Sequence, residues 1–266
     1  MNWLYFIDTS RVLVFALVLT RVSGIVISAP VFGGGSIPLQ FRALFSFALA
    51  ILIMPSQWML YVDEPTSIAG FVPLIAAELL IGLTIGLGVN MFFTAMYLAG
   101  DMIGRIGGLT SAQLFDPSSG EQIPVLGSFL HLLAVTVFAC VGGLRILMAA
   151  LLDTFETLPV GSGLVRVSAA ESMITIVSVT FSLGFRIAAP AMVGILVAMT
   201  VMGVLGRTLP QLNLMSVGFG INTIIMFTIL FLTIGTAMWC FQERFIYALD
   251  AIFAGFGAEI QPEWVD

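Results

Sequence analysis

The chain has 266 residues, of which 59% are hydrophobic and only 9% charged, and its mean hydropathy is +1.12. That balance excludes a water-soluble domain and places the chain among polytopic membrane proteins. Its 9 basic residues are all arginine, form no patch suited to nucleic acid, and leave a net charge of −6.

The first apolar run, Val12 to Ala29, follows Asp8 and Arg11 rather than a clearly basic leader. Pro30 disfavours cleavage after Ala29, so the run reads as a retained membrane segment. The second, Ala43 to Met54, stops at Pro55 and is too short to span comfortably. The third, Ile68 to Ala99, contains Pro73, Gly82, Gly86 and Gly88 as kink and close-packing positions. Further runs lie at Val125 to Leu152, at Met173 to Leu205 with Gly184, Pro190 and Gly194, and at Val217 to Phe241. The expected fold is an all-α membrane protein of about six kinked or broken hydrophobic helices. No repeat or soluble domain interrupts them, so residues 1–266 are expected to form a single membrane-associated unit.

The longest runs are not ordinary spans. A run of roughly 33 residues at about 1.5 Å per residue reaches about 50 Å, against a hydrocarbon core of about 30 Å. Arg21, Glu78, Arg145 and Arg186 sit inside apolar runs. Each costs about 2.5 to 3.5 kcal/mol at the centre of a lipid-facing helix, so each is expected to be buried in a pair, to face a partner or water, or to lie outside the bilayer. Arginines fall evenly on both sides of the runs and do not fix orientation.

Other residues offer little chemistry. Cys140 and Cys240 lie in apolar segments without a second ligand nearby, and His131 is the only histidine, so neither a metal site nor a Ser/His triad can be built. The 14 methionines are scattered as soft packing residues. The tail carries Glu243, Asp250, Glu259, Glu263 and Asp266 against Arg244, a solvated acidic terminus. No cofactor is expected.

Two polar stretches stand out. Gly100 to Pro124 is rich in Gly, Ser and Pro, yet it carries Ile106, Leu109, Leu114 and Phe115. That mixture suits either an exposed connector or a loop packed inside a cavity, the one place at membrane depth where irregular backbone is tolerated. Gly104, Gly107 and Gly108 would let it bend and approach a wall, and Asp116-Pro117-Ser118-Ser119-Gly120 reads as a turn. Gly206 to Met215 has the parts of a tight helical hairpin: Gly206 to end one helix, Pro210 to stop it, and Asn213 or Ser216 to cap the next.

Both stretches resemble one family. Gly206-Arg207-Thr208-Leu209-Pro210-Gln211-Leu212-Asn213, continued by Leu214-Met215-Ser216-Val217-Gly218, is similar to the hairpin turn of the FliR family of flagellar biosynthetic proteins, which has counterparts in virulence type III secretion. Gly107-Gly108-Leu109-Thr110-Ser111-Ala112-Gln113-Leu114-Phe115-Asp116-Pro117-Ser118-Ser119-Gly120 is similar to that family's central loop. Ala29 to Gly33, Glu78 to Gly82 and Leu158 to Gly161 extend the resemblance over nearly the whole chain. Two departures stand beside it. Gly220-Ile221-Asn222 follows Phe219 where many members have Pro, an apolar residue and Lys, and Gly142-Gly143-Leu144-Arg145 stands where a Gly-His pair is common.

The resemblance implies a non-enzymatic export-gate subunit in the bacterial inner membrane at the flagellar basal body. It implies helical hairpins within an assembly of FliP-like and FliQ-like subunits. The loop 104–124, with Gly104, Gly107, Gly108, Leu114, Phe115, Asp116 and Pro117, would plug a pore for unfolded secreted substrates. Arg207, Pro210, Gln211 and Asn213 at the hairpin tip would meet an FlhB-like switch protein on the cytoplasmic side. Residues 1–170 would correspond to the FliP-like portion and 171–266 to the FliQ-like hairpin and tail. A stand-alone proton-coupled transporter using Glu78 and Asp101 is the alternative that the intramembrane carboxylates support.

Overall fold

The computed structural model describes residues 9–30, 37–57, 68–109, 124–161, 167–208 and 214–254. Among them every regular element is helical: α1 (Thr9–Ser28), α2 (Leu39–Ile53) with a 3₁₀ turn (Met54–Gln57), α3 (Ile68–Ile106), α4 (Val125–Cys140), α5 (Gly143–Thr157), α6 (Val167–Thr208) and α7 (Leu214–Ala254). Among the described residues five helices are long and apolar enough to cross a membrane, or six if the broken pair α4 and α5 is one span.

The apolar runs become helices, though not at the expected bounds. The second run begins earlier and ends later than its apolar residues suggest, because the 3₁₀ turn carries the helix through Pro55. Leu39–Gln57 thus reaches 19 residues and passes as a span, correcting the expectation that it is too short. The fourth run is broken: Gly142 takes φ +83°, a left-handed conformation that glycine adopts without a Cβ penalty, so α4 stops at Cys140 and α5 starts at Gly143. The third run continues as α3 to Ile106, so Gly104 is helical rather than part of a loop. Pro73 and Pro190 lie inside α3 and α6 without interrupting either.

The chain packs as two compact units whose segments interleave. One comprises residues 1–91, 142–177 and 247–266, the other 92–141 and 178–246. Compactness thus follows a different division from 1–170 and 171–266, which concerns likeness to partner subunits.

In the first unit, α1 and the early part of α3 meet along small residues. Val14, Leu17, Val18, Val22, Ile25 and Val26 are buried at three- and four-residue spacing, and Ala77, Ile81, Ile85 and Val89 answer them from α3. A Cβ on Gly24 would lie 3.0 Å from the Leu83 nitrogen, and one on Gly82 would strike the Arg21 carbonyl oxygen. Lipid tails are as apolar as leucine, so this close backbone approach, rather than a hydrophobic drive, holds such helices together. Ser28 donates to the Gly24 carbonyl at 2.7 Å, and Asn90 donates to the Ser28 carbonyl at 3.1 Å, covering a helix-end acceptor.

The second unit is centred on rings. Phe92 and Phe93 on α3, Phe138 on α4, and Phe241 and Phe245 on α7 form a cluster in which Phe138 and Phe245 are edge-on at 4.9 Å, and Phe93 and Phe138 at 5.2 Å. Such pairs each contribute about 0.5–1.5 kcal/mol beyond the area they bury. His131 sits at the rim of this cluster, 6.3 Å from the Phe93 ring, which is a packing role. Gly100 lies against Leu126 and Gly127, so that α3 and α4 touch through their backbones.

Candidate functional site

Two constructions stand out, one in each unit. In the first unit Arg21 is fully buried on α1 and Glu78 is 1% exposed on α3. Arg21 Nε donates to Glu78 Oε2 at 2.6 Å. Its Nη1 donates to two backbone carbonyls at the end of α5, Thr154 at 3.1 Å and Leu158 at 3.0 Å. The guanidinium carbon stands 4.5 Å from the centroid of the Phe155 ring. Glu78 Oε1 in turn accepts the Gly161 N–H at 2.9 Å. Gly161 has φ +82°, so the turn after α5 depends on glycine to present that N–H.

This is a clamp that joins α1, α3 and the turn after α5. The cation meets carbonyls at a helix C-terminus, where the helix dipole favours positive charge, and the ring face adds a cation–π contact. The pair is more informative about geometry than about net stability, because desolvating two ions consumes most of their attraction. Removing one partner is another matter, since it strands a buried charge.

The second construction is the root of the central loop, where α3 ends. Gly107 N–H bonds the Ile103 carbonyl at 2.8 Å and Gly108 N–H the Arg105 carbonyl at 3.2 Å. Gly108 has φ +83°, the left-handed conformation in which helices commonly stop. Asn222 on α7, 8% exposed, donates from Nδ2 to the Gly107 carbonyl at 2.8 Å. A Cβ on Gly107 would strike Met226 Sδ, one turn further along α7. Glycine is thus required twice in succession, once for contact and once for conformation.

Leu109 and the first turn of α4, at Val125 and Leu126, line a groove of about 780 Å³ together with Ile224, Phe227 and Phe231 of α7. The described residues on both sides of the loop are therefore held beside the same helix.

The charges singled out in or beside the apolar runs divide into three cases. Arg21 and Glu78 are paired and buried. Asp101 is half-buried and accepts two bonds from Arg105 Nε, at 2.9 and 2.8 Å, an i,i+4 pair on the surface of α3. Arg145 on α5 and Arg186 on α6 are exposed on this chain, so of the expected outcomes burial within the chain is the one they do not take. Arg207 is exposed near the end of α6. Leu114, Phe115, Asp116, Pro117, Pro210, Gln211 and Asn213 lie outside the described residues. Among the described residues no cluster of His, Cys, Asp and Glu could hold a metal ion.

The sequence pattern of the bacterial export proteins, family 1, matches residues 12–247, a stretch that includes both the clamp and the loop root. The chain belongs to this family. Among the proteins it is similar to is the flagellar biosynthetic protein FliR of Caulobacter vibrioides, 27% identical over 92% of this chain and 98% of that protein. The FliR proteins of Pectobacterium carotovorum and Escherichia coli are 31% and 30% identical, over 76% of this chain in each case and 77% and 76% of theirs.

Within this export protein, sequence reasoning found Arg21, Glu78, Gly107 and Gly108 but not all their partners. Phe155, the Thr154 and Leu158 carbonyls and Met226 carry no sequence signal of their role. Asn222 carries one only as a polar residue in an apolar run at a position where the family pattern differs.

Proposed function

We propose that this chain is a subunit of the flagellar export gate or of a closely related type III secretion gate, and that its role is structural and conductive rather than enzymatic. It joins FliP-like and FliQ-like subunits in the bacterial inner membrane to form a channel for unfolded secreted proteins. Residues 1–170 take a place like that of the FliP-like subunits and 171–266 one like that of the FliQ-like subunits. The loop that follows α3, residues 107–124, plugs the channel at rest, and the tip at Arg207, Pro210, Gln211 and Asn213 meets an FlhB-like switch protein.

The observation that carries this reading is the family match across residues 12–247. The loop root supports the plug: a segment that must block a pore needs fixed ends, and Gly107 is held by Asn222 and by contact with Met226. A hydrophobic segment excluding water is a physically sufficient gate. The exposed apolar faces of α6 and α7, including Phe181, Phe185, Phe227 and Phe231, are suited to neighbouring subunits or lipid. The transporter alternative gains nothing from the clamp, because both oxygens of Glu78 are already engaged by Arg21 and Gly161.

The test is native mass spectrometry of the detergent-extracted chain co-expressed with the FliP-like and FliQ-like proteins of its own organism. A mixed complex containing this chain is expected. A stable monomer or homodimer that excludes both proteins would overturn the reading.

A further inference from the structure

Within the second unit α6 and α7 run antiparallel. A Cβ on Gly194 would strike the Ile229 side chain, and one on Gly218 would meet the Met202 methyl at 3.9 Å. Counted outward from these two pairs at equal rise, Arg186 stands level with residues 234–237 of α7, and Arg207 with the start of α7.

Arg186 and Arg207 are both exposed, and they enclose residues 187–206, a stretch of 20 without a charge. At about 1.5 Å per residue that stretch is about 30 Å long, the thickness of a hydrocarbon core. The whole apolar stretch of α6, Glu171–Arg207, is far longer at 37 residues. Between the arginines Val193, Leu196, Val197, Val201, Val204 and Leu205 are exposed. The only hydroxyl there, on Thr200, donates to the Leu196 carbonyl at 2.8 Å, so it makes no demand on its surroundings. The turns before Arg186 differ, because Ser178 and Ser182 are exposed on them at four-residue spacing with it. The opposite helix repeats the pattern. Ile224, Phe227, Phe231 and Leu232 are exposed, and Thr228 donates to the Ile224 carbonyl at 2.8 Å. Further exposed polar side chains, Thr236, Gln242 and Glu243, stand from the level of Arg186 onward. Trp239, 67% exposed, lies about one turn past that level, and tryptophan is enriched at membrane–water interfaces.

Lipid and a partner helix would place different demands on this face. Arginines near the ends of a span turn their guanidinium groups to lipid phosphates, which a bilayer supplies at both edges of its hydrocarbon. A partner helix would have to bring a carboxylate to each of two levels about 30 Å apart, and nothing in helix packing sets that separation to a hydrocarbon thickness.

We infer that the α6–α7 hairpin crosses the bilayer only over residues 187–206 and the facing turns of α7, with Arg186 and Arg207 bound to lipid phosphates of opposite leaflets. The turns of α6 before Arg186 stand beyond the hydrocarbon, so the overlong helix leaves the bilayer instead of tilting to fit within it. This seating needs no partner subunit and goes beyond the export-gate reading.

The test is spin-label depth measurement on the co-expressed complex in vesicles of phosphatidylethanolamine and phosphatidylglycerol. With Cys140 and Cys240 replaced by alanine, a nitroxide is placed in turn at Ser178, Ser182, Val193, Val197, Val201 and Val204. Its collisions with oxygen, which enters hydrocarbon, and with a water-soluble nickel chelate are compared. The oxygen-to-nickel ratio is expected to peak at Val197, midway between the arginines, and to be lower at Ser182 than at Val204. Arg186→Leu is expected to move the peak by about one turn toward Val193, and Arg186→Lys, whose ammonium also reaches phosphate, to leave it at Val197. A ratio at Ser182 equal to or above that at Val204 would centre the span on the whole 37-residue stretch and overturn the seating. Labels at Val193 to Val204 shielded from both reagents would overturn it by giving the face to a neighbouring subunit, and so would a peak that Arg186→Leu leaves in place. If the FliP-like and FliQ-like proteins fail to co-purify, the export-gate reading falls and the same profile is read on the chain alone.

Discussion

Asn222 and Gly107 are 115 positions apart, yet the Asn222 amide caps the Gly107 carbonyl at 2.8 Å where α3 gives way to the central loop. The last carbonyls of a helix have no partner within it, and one buried against another helix needs a donor from outside. A neutral amide does this without bringing a charge into an apolar site.

Asn222→Leu is therefore expected to lower the midpoint of thermal unfolding in detergent, through a loss of about 1–3 kcal/mol for a stranded carbonyl. In the assembled complex it should raise resting ion leak in the same direction as deletion of residues 107–120, but by less. Conductance across a membrane containing the complex is the measurement, and a leak equal to that of the unsubstituted chain in both variants would refute the plug.

The Arg21–Glu78 clamp makes a prediction with a characteristic pattern. Arg21→Met or Glu78→Leu alone leaves an uncompensated buried charge and is expected to cost about 3–5 kcal/mol, whereas the double substitution should recover most of that loss. Thermal unfolding of the three variants separates the cases. Additive losses in the double variant would show that the two residues do not act as a pair.

Gly82 and Gly203 are both helical glycines, but their surroundings differ completely. A Cβ at Gly82 would strike the Arg21 backbone oxygen, which cannot swing aside, while a Cβ at Gly203 would meet nothing within 4 Å. Gly82→Ala is expected to destabilise the chain by about 1–3 kcal/mol through overpacking. Gly203→Ala should change the stability of the isolated chain by no more than about 0.5 kcal/mol. Yield of folded protein and unfolding midpoint, measured side by side, check the contrast.

At the loop root, Gly107 and Gly108 are expected to answer differently to rescue. The obstacle to Gly107→Ala is the Met226 sulfur, so shortening that side chain with Met226→Ala should restore part of what Gly107→Ala loses. The obstacle at Gly108 is its φ of +83°, which costs an alanine about 1 kcal/mol whatever surrounds it, so Met226→Ala should bring no rescue there. Double-mutant cycles on unfolding midpoints distinguish the two, and equal coupling at both positions would contradict the geometry.

Much of the architecture was legible from composition and periodicity alone. Apolar runs longer than a bilayer is thick become α3, α6 and α7, because in a chain this apolar the helix is the structure that satisfies its own backbone. The turn at Gly108 was legible too, since a left-handed helix stop is a local requirement, whereas the contact that demands glycine at Gly107 comes from Met226 on α7. The break at Gly142 was not: a glycine can be helical or left-handed, and packing decides which.

Side-chain partnership belongs to the tertiary structure. Sequence showed that Arg21 and Glu78 were too costly to face lipid, but their pairing across 57 positions, and the Thr154 and Leu158 carbonyls 133 and 137 positions from Arg21, exist only once three segments converge. The same cost argument applied equally to Arg145 and Arg186, which are exposed. Hydrophobicity is a property of each residue and can be read one residue at a time. A hydrogen bond is a property of two atoms, and only the fold decides which two meet.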